Sequence, residues 1–186
     1  MDNRTFNPHR KSYIEIGQIY FWTASINNWQ CLLQTNEYKE VIISSLKHLS
    51  ELGKIDVFAF VIMPNHIHLI WRTNELNGKE TSQGSFLKFT AHEFKKLLKN
   101  EGDEKLLSYG VDAQIKEYEF WQRDSLAIHL YTTEVAYQKL DYIHSNPLVE
   151  RWQLAKDPCD YKYSTSRFYE LGIKDFLFLK DLRDEF

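Results

Sequence analysis

At 186 residues, the chain suits one compact domain with an added terminal segment, and it is long enough to bury a real core. Hydrophobic residues make up 43% and charged residues 26%, an ordinary balance for a globular protein, and no apolar run approaches the length of a membrane span. The formal net charge of -3 excludes a general polycation. Any nucleic-acid binding must therefore rest on a local basic patch, for which Lys88, Lys95, Lys96, Lys99, Arg123, Arg151 and Arg167 are candidates, although each alone could be solvated surface charge.

Residues 1–12 are polar and read as loose, and residues 1–11 lack the apolar run of a signal peptide, so the cytoplasm is the expected compartment. Residues 18–25, Q-I-Y-F-W-T-A-S, are aromatic and branched and predict a strand. Cys31 and Cys159 are too few and too far apart for a disulfide scaffold or a zinc cluster, and read as ordinary, partly buried residues. Residues 36–50 carry Val41, Ile42, Leu46 and Leu49 at helical spacing. Residues 54–63 form a nearly continuous apolar strand, broken by Pro64 and Asn65, and residues 66–73 form a second strand. A polar loop over 74–85 leads to a helix over 85–98 marked by Phe86, Phe89, Phe94, Leu97 and Leu98, and residues 100–112 read as charged, irregular and mobile.

Strand character returns at 119–122 and 128–131. Thr133 is placed to cap a helix that starts at Glu134 and runs to Ser145, before Pro147. The order β-α-β-β-α-β-α gives an α+β, ferredoxin-like split β-α-β sandwich: an antiparallel sheet with helices on one face and the other face free for a site or a partner. The whole chain, 1–186, reads as one domain, with a core of about 15–147 and an extension over 148–186.

Chemistry concentrates first in His66-Ile67-His68-Leu69. Strand side chains alternate, so both imidazoles share one face while Ile67, Leu69 and Trp71 share the other. Two neutral imidazoles at i and i+2 can reach one metal ion, although a bare H-x-H also describes two histidines exposed on a strand. The surrounding string, V-I-M-P-N-H-I-H-L-I over 61–70, resembles the M-P-N-H-x-H-L signature of the single-tyrosine HUH transposases, and especially the REP-associated tyrosine transposases of the insertion-sequence 200/605-like superfamily.

The segment K-L-D-Y-I-H-S-N-P over 139–147 resembles the Y-I-x-x-N-P stretch of the same family. The resemblance implies Tyr142 as nucleophile and Asn146 as a third metal ligand beside His66 and His68. Residues four apart share a helical face, and Ala136, Leu140 and Ile143 form the stripe expected to face the core. Tyr142, about 100° from Ile143, falls off that stripe beside Gln138 and Asn146. Tyr131 and Tyr137 compete as nucleophiles, Tyr137 on a different face from Asn146, and His144 is read as flanking structure. Weaker matches are residues 54–63, Phe120-Trp121-Gln122 and residues 161–169, so the resemblance covers roughly 15–170.

What the resemblance implies is an enzyme that nicks and rejoins single-stranded DNA, at hairpin repeats, through a 5′-phosphotyrosine intermediate. A divalent metal, Mg²⁺ or Mn²⁺, would act as Lewis acid on the scissile phosphate. A phenol is protonated at neutral pH, and neither Gln138 nor Lys139 is an evident general base. Lys88, Lys95, Arg123, Arg151 and Arg167 are the DNA-contact candidates, and Trp22, Trp71 and Trp121 can either stack on bases or fill the core. Monomers and homodimers both occur in the family. A histidine-triad nucleotide hydrolase is disfavoured because Ile70 stands where its third histidine belongs. A relaxase or replication initiator is usually a larger chain. A domesticated DNA-binding or repeat-processing protein of the same fold, without transposition, is the alternative.

Overall fold

A computed structural model describes residues 14–111, 117–123 and 125–186 of the chain. The loose segment expected over 1–12 lies outside the described residues, as does the end of the irregular stretch 100–112. Strand β1 (Ile19–Ser25) leads to helix α1 (Asn36–Glu51), the hairpin β2 (Ile55–Ile62) and β3 (His66–Thr73), and helix α2 (Ser82–Glu101). A short helix α3 (Asp103–Leu107), strand β4 (Leu126–His129), helix α4 (Thr133–Ser145) and helix α5 (Ser166–Leu171) follow. Every neighbouring pair in the sheet is antiparallel, in the order β2-β3-β1-β4. This is the expected ferredoxin-like arrangement. Among the described residues no helix is long and apolar enough to cross a membrane.

The pleat divides the sheet chemically. On one face Trp22 and Trp71 stack with ring centroids 5.0 Å apart, and Phe86 of α2 meets Trp22 edge-on at 5.9 Å. Such aromatic pairs add about 0.5–1.5 kcal/mol each beyond simple burial. Trp22, Trp71 and Trp121 are all buried, and Trp121 Nε1 donates to Thr90 Oγ1 at 2.9 Å, so these three rings are core and do not stack on bases.

The other face is less free than expected. Helix α4 lies over it, and the extension continues along the edge of β2. An edge strand leaves unpaired backbone groups that must be satisfied. Here Tyr163 and Phe60 carbonyls accept from the N–H groups of Ile62 and Thr165, and Lys180 N–H donates to the Val57 carbonyl at 2.9 Å. Phe176 packs on Phe60 at 4.9 Å. Residues of the 148–186 extension are thus the cover of β2, which is buried along its whole length.

Several boundaries move for identifiable reasons. Helix α2 begins three residues early because Thr81 Oγ1 accepts from Gly84 N–H, a cap hidden in what reads as a loop. The 100–112 stretch contains α3. Thr132, whose backbone is extended and whose hydroxyl accepts from Val135 N–H, caps α4 in place of Thr133. Strand β4 spans 126–129 in place of 128–131, and residues 119–122 form only an isolated bridge from Trp121 to Ile26. Cys31 is exposed, not partly buried.

The chain end is tied down electrostatically. Arg72 donates to Asp56 Oδ2 at 2.6 Å and to Glu185 at 2.6 Å, and Lys180 sits 2.7 Å from Asp56. Burial would raise the Asp56 carboxyl, but hydrogen bonds from Lys180, Arg72 and Asn74 outweigh it and hold the group below the usual carboxylate range. A lowered folded-state value adds stability above the unfolded value and loses it as pH falls through the folded one. Asp56→Asn should cost about 2–3 kcal/mol at neutral pH in urea unfolding. The gap to wild type should close in acid, where protonation removes the same charge. A gap that is unchanged by acid would contradict this account.

Candidate active site

His66 and His68 point to the face beneath α4, with ring centroids 4.7 Å apart. Both are buried. Each Nδ1 is engaged: that of His66 lies 2.7 Å from Asn65 Oδ1, and that of His68 lies 2.7 Å from Thr23 Oγ1. Asn65 donates its amide nitrogen to the Trp29 carbonyl at 3.1 Å, which leaves its oxygen facing His66. His66 Nδ1 therefore carries the hydrogen, and its Nε2 presents a lone pair. The Asn146 side chain acts on the His66 ring from the end of α4, favouring its charged form. His68 Nε2 is buried with no hydrogen-bond partner among the described residues.

Burial pushes His66 down to about 4, opposed by the Asn146 side chain and assisted by the charge of Arg151. Burial pushes His68 down to about 3, assisted by the charges of His66 and Lys139. Both imidazoles are neutral at neutral pH, the form that ligates metal.

Helix α4 brings the phenol. Ala136, Leu140, Ile143 and His144 are buried, and His144 Nε2 meets Thr165 Oγ1 of the extension at 3.0 Å, in keeping with its reading as structure. Tyr142 is 48% exposed, with its ring 5.2 Å from His68 and 5.8 Å from Phe21. Asn146 keeps helical backbone angles at the C-cap, so the spacing of four survives although α4 ends at Ser145. Pro147 then turns the chain into a short 3-10 segment. Of the competing phenols, Tyr131 is 72% exposed and its ring is 6.0 Å from His129, and Tyr137 packs on the core.

The residues fit a divalent cation. Leaving a buried imidazole nitrogen unsatisfied costs about 1–3 kcal/mol. The indole N–H groups of Trp22 and Trp71 also lack a partner among the described residues, but inside an apolar layer. His68 Nε2 instead lies beside a second imidazole and a half-exposed phenol. Ligating histidines are ordinarily oriented through their other nitrogen, the role that Thr23 and Asn65 can fill here. Among the described residues no group of three or more His, Cys, Asp or Glu side chains gathers, so the groups here that could hold a cation are two imidazoles and the Asn146 amide.

The structure gathers His66, His68, Asn146 and Tyr142, with Arg151 alongside: its guanidinium lies 5.0 Å over Trp152, whose ring is 6.1 Å from His66. It does not gather the other basic candidates there. Lys88 pairs with Glu80 at 2.7 Å, Lys95 with Glu117 at 3.0 Å, Arg123 with Glu119 at 3.0 Å and Arg167 with Asp175 at 3.1 Å. Lys88, Lys95 and Arg123 line a cavity of about 790 Å³ between α2 and residues 117–123, on the tryptophan side of the sheet. Sequence reasoning missed Thr23, Asn65, Phe21 and Trp152. Asn65 was visible beside His66 but read only as a strand breaker, and the other three become neighbours only through folding.

Neither a family model nor a curated protein matches the sequence. Among solved structures, one of a REP-associated tyrosine transposase bound to a REP hairpin superposes with a TM-score of 0.61 at 18% identity, over 93% of this chain and 90% of that one. The fold is that of a REP-associated tyrosine transposase. A proposed transposase from Deinococcus radiodurans matches more loosely, with a TM-score of 0.40 and 12% identity over 73% of this chain and 94% of that one. On a REP-associated transposase fold, the sheet, the helix pair α1 and α2, and the overlying α4 are what present the histidine face.

Thr23→Val keeps the shape of β1 and removes the partner of His68 Nδ1. It should weaken Mn²⁺ binding, followed by calorimetric titration, by about 10–100-fold. Affinity equal to wild type would mean that Thr23 does not orient a ligand.

Proposed function

We propose that the protein is a metal-dependent single-stranded DNA transesterase of the transposase type. The observation that carries this reading is the half-exposed phenol of Tyr142 beside the buried, neutral pair His66 and His68. The REP-associated transposase of the same fold is bound to a REP hairpin. By analogy the substrate here is single-stranded DNA with a hairpin nearby.

Bound by His66, His68 and Asn146, a divalent ion would supply Lewis-acid stabilisation of the charge on the scissile phosphate. The chain does the rest. Tyr142 attacks phosphorus in line, a bond forms between its oxygen and phosphorus, and the bond from phosphorus to the 3′ oxygen breaks. The phenol proton passes to solvent, and the departing 3′ oxygen becomes a hydroxyl by taking up a proton. The 5′ end is left as a phosphotyrosine. Attack by another strand's 3′-hydroxyl reverses the step, restores the phenol and joins DNA. The Nδ1–H of His66 held by Asn65, and the Nδ1 of His68 held by the Thr23 hydroxyl, keep both imidazoles aimed while charge builds nearby.

Incubation of the full chain with hairpin-bearing single-stranded DNA and Mn²⁺, resolved on a denaturing gel, should give a covalent adduct. Tyr142→Phe should abolish it and Tyr131→Phe should not; the reverse pattern would reassign the nucleophile. His66→Ala should lower cleavage by at least about 100-fold, the scale of losing a transition-state electrostatic contact. DNA binding by that variant, measured by anisotropy, should stay within a few-fold of wild type, and parallel loss of folding would mark His66 as structural.

A further inference from the structure

The site is a row of contacts with a cation at each end. Lys139 Nζ lies 5.7 Å from the centre of the Tyr142 ring and 5.1 Å from that of Phe21. Tyr142 is 5.2 Å from His68, and His68 is 4.7 Å from His66. His66 is 6.1 Å from Trp152, and Arg151 covers Trp152 at 5.0 Å. Lys139 thus joins the row on the His68 side and Arg151 on the His66 side.

Their state of pairing sets them apart from five of the other basic candidates. Lys88, Lys95, Lys96, Arg123 and Arg167 each have a carboxylate within ion-pair distance. Among the described residues, no ion pair engages Lys139 or Arg151, and the carboxylates adjacent in sequence, Asp141 and Glu150, are exposed and pair with neither. Both cations rest on aromatic faces, which costs little hydration and keeps the charge available to an incoming anion. Each charge also reaches one imidazole, that of Lys139 acting on His68 and that of Arg151 on His66.

We propose that Lys139 and Arg151 are the two phosphate-gripping residues of the site, one on the His68 side and one on the His66 side, so that an unpaired DNA backbone lies along this row. They position the strand, and neither takes part in bond making. The inference rests on the reading of the site as one for single-stranded DNA and adds where the backbone runs. Lys139 serves as a point charge beside the phenol, and Arg151 offers a planar fork that can take two phosphate oxygens.

The test is the salt dependence of binding of the full chain to a fluorescent unpaired oligonucleotide, without metal. Each lost phosphate contact lowers the slope of log K against log salt by about 0.7 for a single strand. Lys139→Ala and Arg151→Ala should each show that drop, Lys139→Arg and Arg151→Lys should restore most of it, and Lys95→Ala should keep the wild-type slope. The charge-keeping variants guard against a folding defect being read as a lost contact. Wild-type slopes in both alanine variants would overturn the inference while leaving the proposed function standing. An equal drop in Lys95→Ala would also overturn it, since the cations would then act as diffuse surface charge. Absence of any salt-dependent binding by the wild type would remove the proposed function itself, and the inference with it.

Discussion

The antiparallel register that locks β3 between β1 and β2 governs the placement of every group at the site. β3 is hydrogen-bonded along both sides, with His68 opposite Thr23 on β1 and opposite Val61 on β2. A slip of one residue would turn Leu69 and Trp71 out of the apolar layer, at about 1.5–3 kcal/mol for each large side chain exposed, and would turn both imidazoles into it. The cost of burying Trp22, Trp71 and Phe86 anywhere else therefore holds the histidines where they are. The same register sets Thr23 beside His68, so the partner of Nδ1 is supplied by strand pairing, with no loop needed to bring it there.

A second constraint is the cover over β2. Without it, one edge of the sheet would present open backbone groups beside the site strand. The extension satisfies them through Tyr163, Thr165 and Lys180, and Thr165 also meets His144 on α4. One hydroxyl thus links the helix that carries Tyr142 to the strand next to the histidines. Together with the stripe Ala136, Leu140 and Ile143, this holds α4 at a height that leaves Tyr142 half in solvent and half against His68.

Charge is distributed with the same economy. A net charge of -3 is compatible with the anionic substrate proposed here once the pairing is considered. Many exposed cations are neutralised locally by carboxylates and contribute little to long-range attraction, while among the described residues no carboxylate pairs with Lys139 or Arg151 beside the imidazoles. A field confined to one face can guide an anion there without making the whole surface sticky.

Much of this was legible in the order of residues. The alternation in His66-Ile67-His68-Leu69 put both imidazoles on one face, the spacing from Tyr142 to Asn146 put phenol and amide on one side of a helix, and the element order implied a split β-α-β sheet. These are consequences of backbone periodicity within single elements, which any local stretch carries. Finer local choices were lost where two neighbours offer the same chemistry, as with Thr132 and Thr133, or where a cap lies in a polar run, as with Thr81. Strand-like residues at 119–122 became a lone bridge because pairing depends on a partner that the segment itself does not specify. The convergence of Thr23, Phe21, Lys139, Arg151 and Trp152 on the histidines, and the neutralisation of the basic residues expected to meet DNA, were decided only by the tertiary structure. Distances between elements follow from sheet register, helix docking and chain closure acting together, and no local spacing encodes them.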